Sequence, residues 1–196
     1  KSPFPFYEQP WPEGDYRLFQ LGFVVDDVVH AAGEWARVFG VGPFQILPAM
    51  EVPCTYRGAP SGMTMQVGYA QAGPVQVELI AQHCDRPSVF RDVVAAGATS
   101  FHQLCTLTSR YDEKKAYFED LGYEMTTEIV IPGQRVAYYA TFHDFGFVTE
   151  LAEASPSFTA NLEAMARTAA EWDGHDPVRI LTRDGYRTPP PPPPHA

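Results

Sequence analysis

Two short apolar runs each carry a single acid: VQVELIA (75–81) holds Glu78 and FVTELA (147–152) holds Glu150. Read as strands, they alternate, so Val75, Val77 and Leu79 share one face while Gln76, Glu78 and Ile80 share the other; Phe147, Thr149 and Leu151 likewise oppose Val148, Glu150 and Ala152. If helices cover the greasier faces, both acids look into the interior of the sheet. A carboxylate there is costly without a metal, a proton or hydrogen-bond donors. Two such groups close together repel enough to leave one protonated near neutral pH. One acid plus one base suffices for proton transfer next to a carbonyl, with Glu150 as base and Glu78 as its acid partner or co-ligand. The reading without chemistry is that each acid bonds a glutamine amide inside the fold.

Other chemistries lack their residues. Ser61 sits in GAPSGM rather than a G-x-S-x-G elbow, so His143-Asp144 has no nucleophile to serve, and neither a Gly-rich phosphate loop nor an HExxH helix is present. Three cysteines, Cys54, Cys84 and Cys105, without paired spacing argue against a disulfide framework and a structural zinc. With 24 acidic against 14 basic residues and a net charge of −10, nucleic acid is excluded as a partner. The same balance weakens an anionic substrate, for which only Arg57, Arg110 and Arg135 stand near the middle strands. At 45% hydrophobic residues, with no apolar run of membrane length and no signal-peptide core at the start, a soluble cytoplasmic protein is expected. A chain that opens on Lys leaves a trimmed leader open.

The elements that must position the acids come in two sets. FQLGFVVDDVVHAAGEWARVFGV (19–41) reads as a strand, then a helix over 29–39 capped by Gly40, and FHQLCTLTSRYDEKKAYFEDLGY (101–123) repeats it, with a helix over 112–121 capped by Gly122. Three strand-like segments follow each helix: 44–51, 62–71 and 74–81, then 124–131, 134–143 and 146–152. Hairpin signals stand at Ala72-Gly73 and Asp144-Phe145-Gly146. Each set is β-α-β-β-β. The predicted organisation is an extended Pro- and aromatic-rich arm (1–15), a first module (16–84), a linking helix (85–98), a second module (99–154), a C-terminal helix (155–174) and a Pro-rich tail (175–196) ending in polyproline II.

A doubled βαβββ unit with VELI (77–80) on its fourth strand and TELA (149–152) on its eighth resembles the vicinal oxygen chelate superfamily: glyoxalase I, methylmalonyl-CoA epimerase, extradiol dioxygenases and bleomycin-resistance proteins. The match spans about 16–153. VELIAQHCDRPSVFRDVVAAGATSFHQL (77–104) is similar to epimerase-like members. The resemblance implies an α+β fold in which two tandem modules form a curled mixed-sheet half-barrel cavity, and it implies a homodimer.

The resemblance also places metal ligands on the first and fourth strands of both modules: Gln20, Glu78, the fifth-strand position and Glu150. Superposing QLGFVV on QLCTLT makes that fifth-strand residue Gln103; His102 reaches it only through a bulge. Two carboxylates and two amides form an oxygen-only set, suited to Mg²⁺, Mn²⁺ or Ca²⁺ rather than Zn²⁺ or iron, if a divalent metal binds. Gln66 stands about where epimerase-like members keep a second catalytic glutamate, and Tyr138 or Tyr139 occupies the corresponding place in the other module. Tyr56 and His143 are further candidates near the mouth.

The expected function is an isomerase or lyase acting by proton transfer next to a carbonyl on a small apolar or aromatic substrate. Gln20, Gln66 and Gln103 would hold its oxygens and Tyr138 or Tyr139 would donate to the enolate. A non-catalytic drug- or metabolite-binding protein is the alternative, and an extradiol-type dioxygenase a third reading.

Overall fold

The computed structural model describes residues 17–190; the expected N-terminal arm and residues 191–196 lie outside them. The fold is mixed α+β. Its first elements are β1 (Arg17–Val24), α1 (Val28–Phe39), β2 (Phe44–Ile46), β3 (Met50–Tyr56), β4 (Ala59–Ala72) and β5 (Val75–Gln82). After the short α2 (Val89–Val93) come β6 (Ser100–Thr108), α3 (Tyr111–Asp120), β7 (Met125–Ile131), β8 (Gln134–Tyr139), α4 (Phe142–Phe145) and β9 (Val148–Glu153). The chain continues through α5 (Pro156–Ala170), β10 (Val178–Thr182) and β11 (Gly185–Arg187).

The strands run in the order β11-β10-β2-β4-β3-β7-β8-β9-β6-β1-β5, and β5 pairs again with β4. That second pairing, together with Thr55↔Glu128 and Tyr56↔Thr127 between β3 and β7, curls eight of the strands into a barrel-like ring. β1 and β6 lie antiparallel at its seam, while β1–β5 and β6–β9 are parallel.

Local chemistry sets the helix that covers the first half. Asp27 accepts from the backbone N–H groups of Val29 and His30 at 2.8 and 3.0 Å, which starts α1, and Gly40 ends it at φ 65, where a side chain would be strained. The buried face of α1, Val28 and Ala32, packs on Val77, Leu79, Phe44 and Ile46. α3 covers the second half, with Phe118 stacked on Tyr139 at 4.6 Å beside Leu151. The apolar faces of β5 and β9 thereby meet helices, and Glu78 and Glu150 are left inside the ring.

Several expectations differ, among them the linking helix expected over 85–98, which shortens to α2. The strand expected at 44–51 breaks around Pro48, and the chain steps from β2, beside the far end of β4, to β3, beside its near end. The turn expected at Asp144-Phe145-Gly146 is instead the one-turn helix α4, closed by Gly146 at φ 75. The tail expected over 175–196 contains a hairpin whose Val178 and Ile180 are buried beside α1, with β10 parallel to β2. Alternating apolar residues and the Arg183-Asp184 turn outweigh the nearby prolines. Phe19 also leaves the face expected for it. A register shift between Leu18 and Gln20 turns it toward the ring interior, against Phe158 at 6.0 Å.

Among the described residues no helix is long and apolar enough to cross a membrane.

Candidate functional site

Glu78 on β5 and Glu150 on β9 are both buried at the floor of a chamber inside the ring. Gln103 on β6 lies between them. Its Nε2 donates to Glu150 Oε2 at 2.7 Å and to Glu78 Oε2 at 3.0 Å, so one amide nitrogen bridges two carboxyls. Room for that side chain comes from Gly22, whose backbone Gln103 directly faces across β1 and β6. A Cβ on Gly22 would meet Gln103 Cγ and Cδ at 2.5 Å.

His102 is fully buried behind Gln103, against Phe90 at 5.1 Å. Its Nε2 lies 3.0 Å from the Val89 carbonyl, which only accepts, so Nε2 carries a proton. Its Nδ1 lies 2.5 Å from Gln103 Oε1. With the amide NH₂ toward the acids, that contact requires the imidazolium. Burial alone holds His102 below the usual imidazole range, and a neutral ring requires the amide turned over, oxygen toward two protonated carboxyls. With one carboxyl ionised in the first arrangement, both hold the same protons and no net charge. Only the first leaves a carboxylate, balanced by the His102 imidazolium across Gln103.

The two acids differ in their surroundings. Burial pushes Glu150 up to about 7, against hydrogen bonds from Cys105 and Gln103. Glu78 is raised well above the carboxylate range by burial and then by the charge on Glu150, against hydrogen bonds from Tyr69 and Gln103. Glu150 therefore ionises first, and its charge keeps the proton on Glu78.

The walls are apolar, including Met50, Val52, Met65, Val67, Ile129 and Val136, and the cavity volume is about 160 Å³. Tyr69 and Tyr138 also line it. Tyr69 stands directly opposite Glu78 in the β4–β5 register. The sequence reading missed Tyr69 and Cys105. It took the parity of Gln66 on this strand, but Met63, Met65, Val67 and Tyr69 form the inner face. Gln66 shares the outer face with Gly68, which packs on Val28 and Ile46.

The structure brings Gln20, Glu78, Gln103, Glu150 and Tyr138 to one chamber and places other candidates elsewhere. Gln20 Nε2 donates to Gln76 Oε1 at 2.6 Å rather than to an acid. Tyr139 faces α3, its hydroxyl reaching the Lys115 carbonyl at 3.4 Å. Tyr56 bonds Asp92 at 2.7 Å, and His143 is fully exposed beside Asp144, beyond the β3–β7 closure. Arg57, Arg110 and Arg135 are paired with Glu124, Glu113 and Glu153 respectively.

The donor set does not fit the divalent ion that the resemblance implies. The two carboxyl oxygens accept from the Gln103 amide, which takes the room between them, and His102 has both nitrogens engaged behind it. Among the described residues no group of three His, Cys, Asp or Glu side chains is arranged to hold an ion.

A family model, the Glyoxalase/Bleomycin resistance protein/Dioxygenase superfamily, matches residues 19–141. Methylmalonyl-CoA epimerase from Mycobacterium tuberculosis superposes with a TM-score of 0.50 at 16% identity, covering 73% of this chain and 91% of that one. A hypothetical protein from Bacillus halodurans C-125 superposes equally, at 0.50 and 13% identity, covering 71% and 95%. These likenesses are of fold. Among curated proteins no match is found.

Proposed function

The chain belongs to the glyoxalase/bleomycin resistance protein/dioxygenase superfamily, and on that premise we propose that it is an isomerase-type enzyme moving a proton next to the carbonyl of a small apolar compound. The observation that carries this reading is the bridged pair: two buried carboxyls, one nitrogen between them, under an apolar chamber. Glu150, the first to ionise, takes the α-proton. Glu78, still protonated, donates to the carbonyl oxygen as it becomes an enolate, and returning the proton to the other face or to a neighbouring carbon completes an isomerisation. Apolar walls keep water from competing for either group.

A chamber near 160 Å³ suits a head group of about one six-membered ring, since an engineered cavity of about 150 Å³ binds benzene. Tyr69 and Tyr138 would hold the substrate from the side walls. Superfamily members often carry a divalent ion, and two carboxylates with two amides would prefer Mg²⁺, Mn²⁺ or Ca²⁺. Because Gln103 takes the carboxyl oxygens, no step here runs through an ion.

The tandem-module reading of the ring, its boundaries at 84/85, 98/99 and 154/155, a homodimer and a cytoplasmic location are further parts of the proposal, supported by the family likeness alone. The sequestering alternative has one observation in its favour: Gln103 satisfies both acids without a ligand. Incubating the protein in D₂O with a panel of small ketones tests the two. Stereospecific α-deuteration supports the enzyme, and binding without exchange supports sequestration.

A further inference from the structure

A second chamber, of about 320 Å³, lies between α5 and the outer part of the sheet. Leu47, Tyr69 and Phe158 line both this chamber and the one above the glutamates, so these side chains form the wall that the two share. The helix is anchored at both ends. Ser155 and Ser157 bond the Gly133 carbonyl at 2.6 and 3.1 Å at one end, and Trp172 packs on Gly42 at the other. Between these anchors Phe158, Leu162 and Met165 face the sheet with helical spacing, yet no residue of α5 is fully buried, because the chamber separates them from the strands.

One polar group in this chamber lacks a good partner. Gln76 is only 2% exposed, and its Oε1 is taken by Gln20, but among the described residues the sole acceptor for its Nε2 is the Met165 sulfur at 3.2 Å. A thioether is a weak acceptor, so a buried amide N–H is left close to its full desolvation cost. Gln76 precedes Glu78 by two residues on the same face of β5, which puts the amide about 7 Å from the acid along the strand. The family match ends at residue 141, before α5 begins, so the helix that roofs the chamber lies outside the matched segment.

We infer that the α5 chamber is the tail subsite for the substrate of the proposed reaction. The ligand class is a carbonyl compound whose apolar tail passes between the Leu47, Tyr69 and Phe158 side chains and carries a second, neutral acceptor that replaces the Met165 sulfur on Gln76. The inference rests on the proton-transfer reading for which end enters the ring, and its test reads binding alone.

The probes are 5-oxo-N-methylhexanamide, whose two carbonyls are separated by three methylenes; 2-octanone, of the same chain length without the second carbonyl; and cyclohexanone, sized for the inner chamber. By calorimetry the wild-type protein binds the keto-amide about fivefold tighter than 2-octanone, as expected for one added hydrogen bond. Leu162→Trp and Ala164→Trp, which fill the outer chamber, remove that preference and leave cyclohexanone binding unchanged. Glu150→Gln keeps the preference, so failure of the proton-transfer reading is distinguishable from failure of the subsite. Equal binding of the two long probes to the wild-type protein, or a preference that survives both tryptophan variants, overturns the inference.

Discussion

The Gln103 side chain fills the space that a β-carbon on Gly22 would occupy, at 2.5 Å from Cγ and Cδ. Residue 22 thus determines whether the amide can reach both acids. Gly22→Ala is expected to push Gln103 off the bridge, costing roughly 1–3 kcal/mol of stability as an overpacked core site and at least about tenfold in turnover. Thermal unfolding and ketone exchange measured on the same preparation check this; a variant with both unchanged would mean that the bridge does not matter.

The tyrosines divide by face. Tyr69→Phe removes the hydroxyl on Glu78 and is expected to lower turnover about 10²-fold, the lower end for a proton-transfer contribution. Tyr139→Phe loses only a long contact to the Lys115 carbonyl and is expected to leave turnover within about twofold. The reverse ranking would place the reaction on the other side of the sheet.

Stability and activity should respond to pH in opposite directions. Glu150 is held near 7 in the folded protein against 4.5 for an ordinary glutamate, so the folded state binds the extra proton. The contribution, about 3 kcal/mol for such a shift, is complete below 4.5 and lost as pH rises through about 7. Turnover needs the ionised base and therefore rises over the same range. Melting temperature should fall between about pH 4.5 and pH 7 in the wild-type protein and fall less steeply over that range in Glu150→Gln, where buried Glu78 remains; parallel curves would remove the buried-acid account.

Exhaustive dialysis against EDTA should leave exchange within about twofold, because the Gln103 NH₂ takes the carboxyl oxygens that would ligate an ion. Loss of activity restored by Mn²⁺ or Mg²⁺ would mean that the amide turns its oxygen inward and becomes a ligand.

Much of the ring was legible in the sequence because β5 and β9 are strands with one face under a helix, where alternation alone puts Glu78 and Glu150 inside. The superposition of QLGFVV on QLCTLT brought Gln103 to the same place. The rule failed on β4. There the cavity wall is itself apolar, so the greasy face of Met65, Val67 and Tyr69 turns inward, and Gln66 goes out. Nothing in the sequence marks the hydrogen bonding of Gln20 to Gln76, or of His102 to the Val89 carbonyl, since these join elements distant along the chain, and the contact of His102 with its neighbour Gln103 depends on how both are packed. The hairpin at 178–187 was hidden by the proline run after it, although its own alternation was present.

The central claim is that Glu150 removes a proton from carbon. The most direct test follows α-deuteration of cyclohexanone and related ketones in D₂O by NMR, with the wild-type protein and with Glu150→Gln at equal, folded concentration. The account predicts protein-dependent exchange that falls by about 10²- to 10⁴-fold in the variant while ketone binding persists. Exchange at the wild-type rate in Glu150→Gln would contradict it.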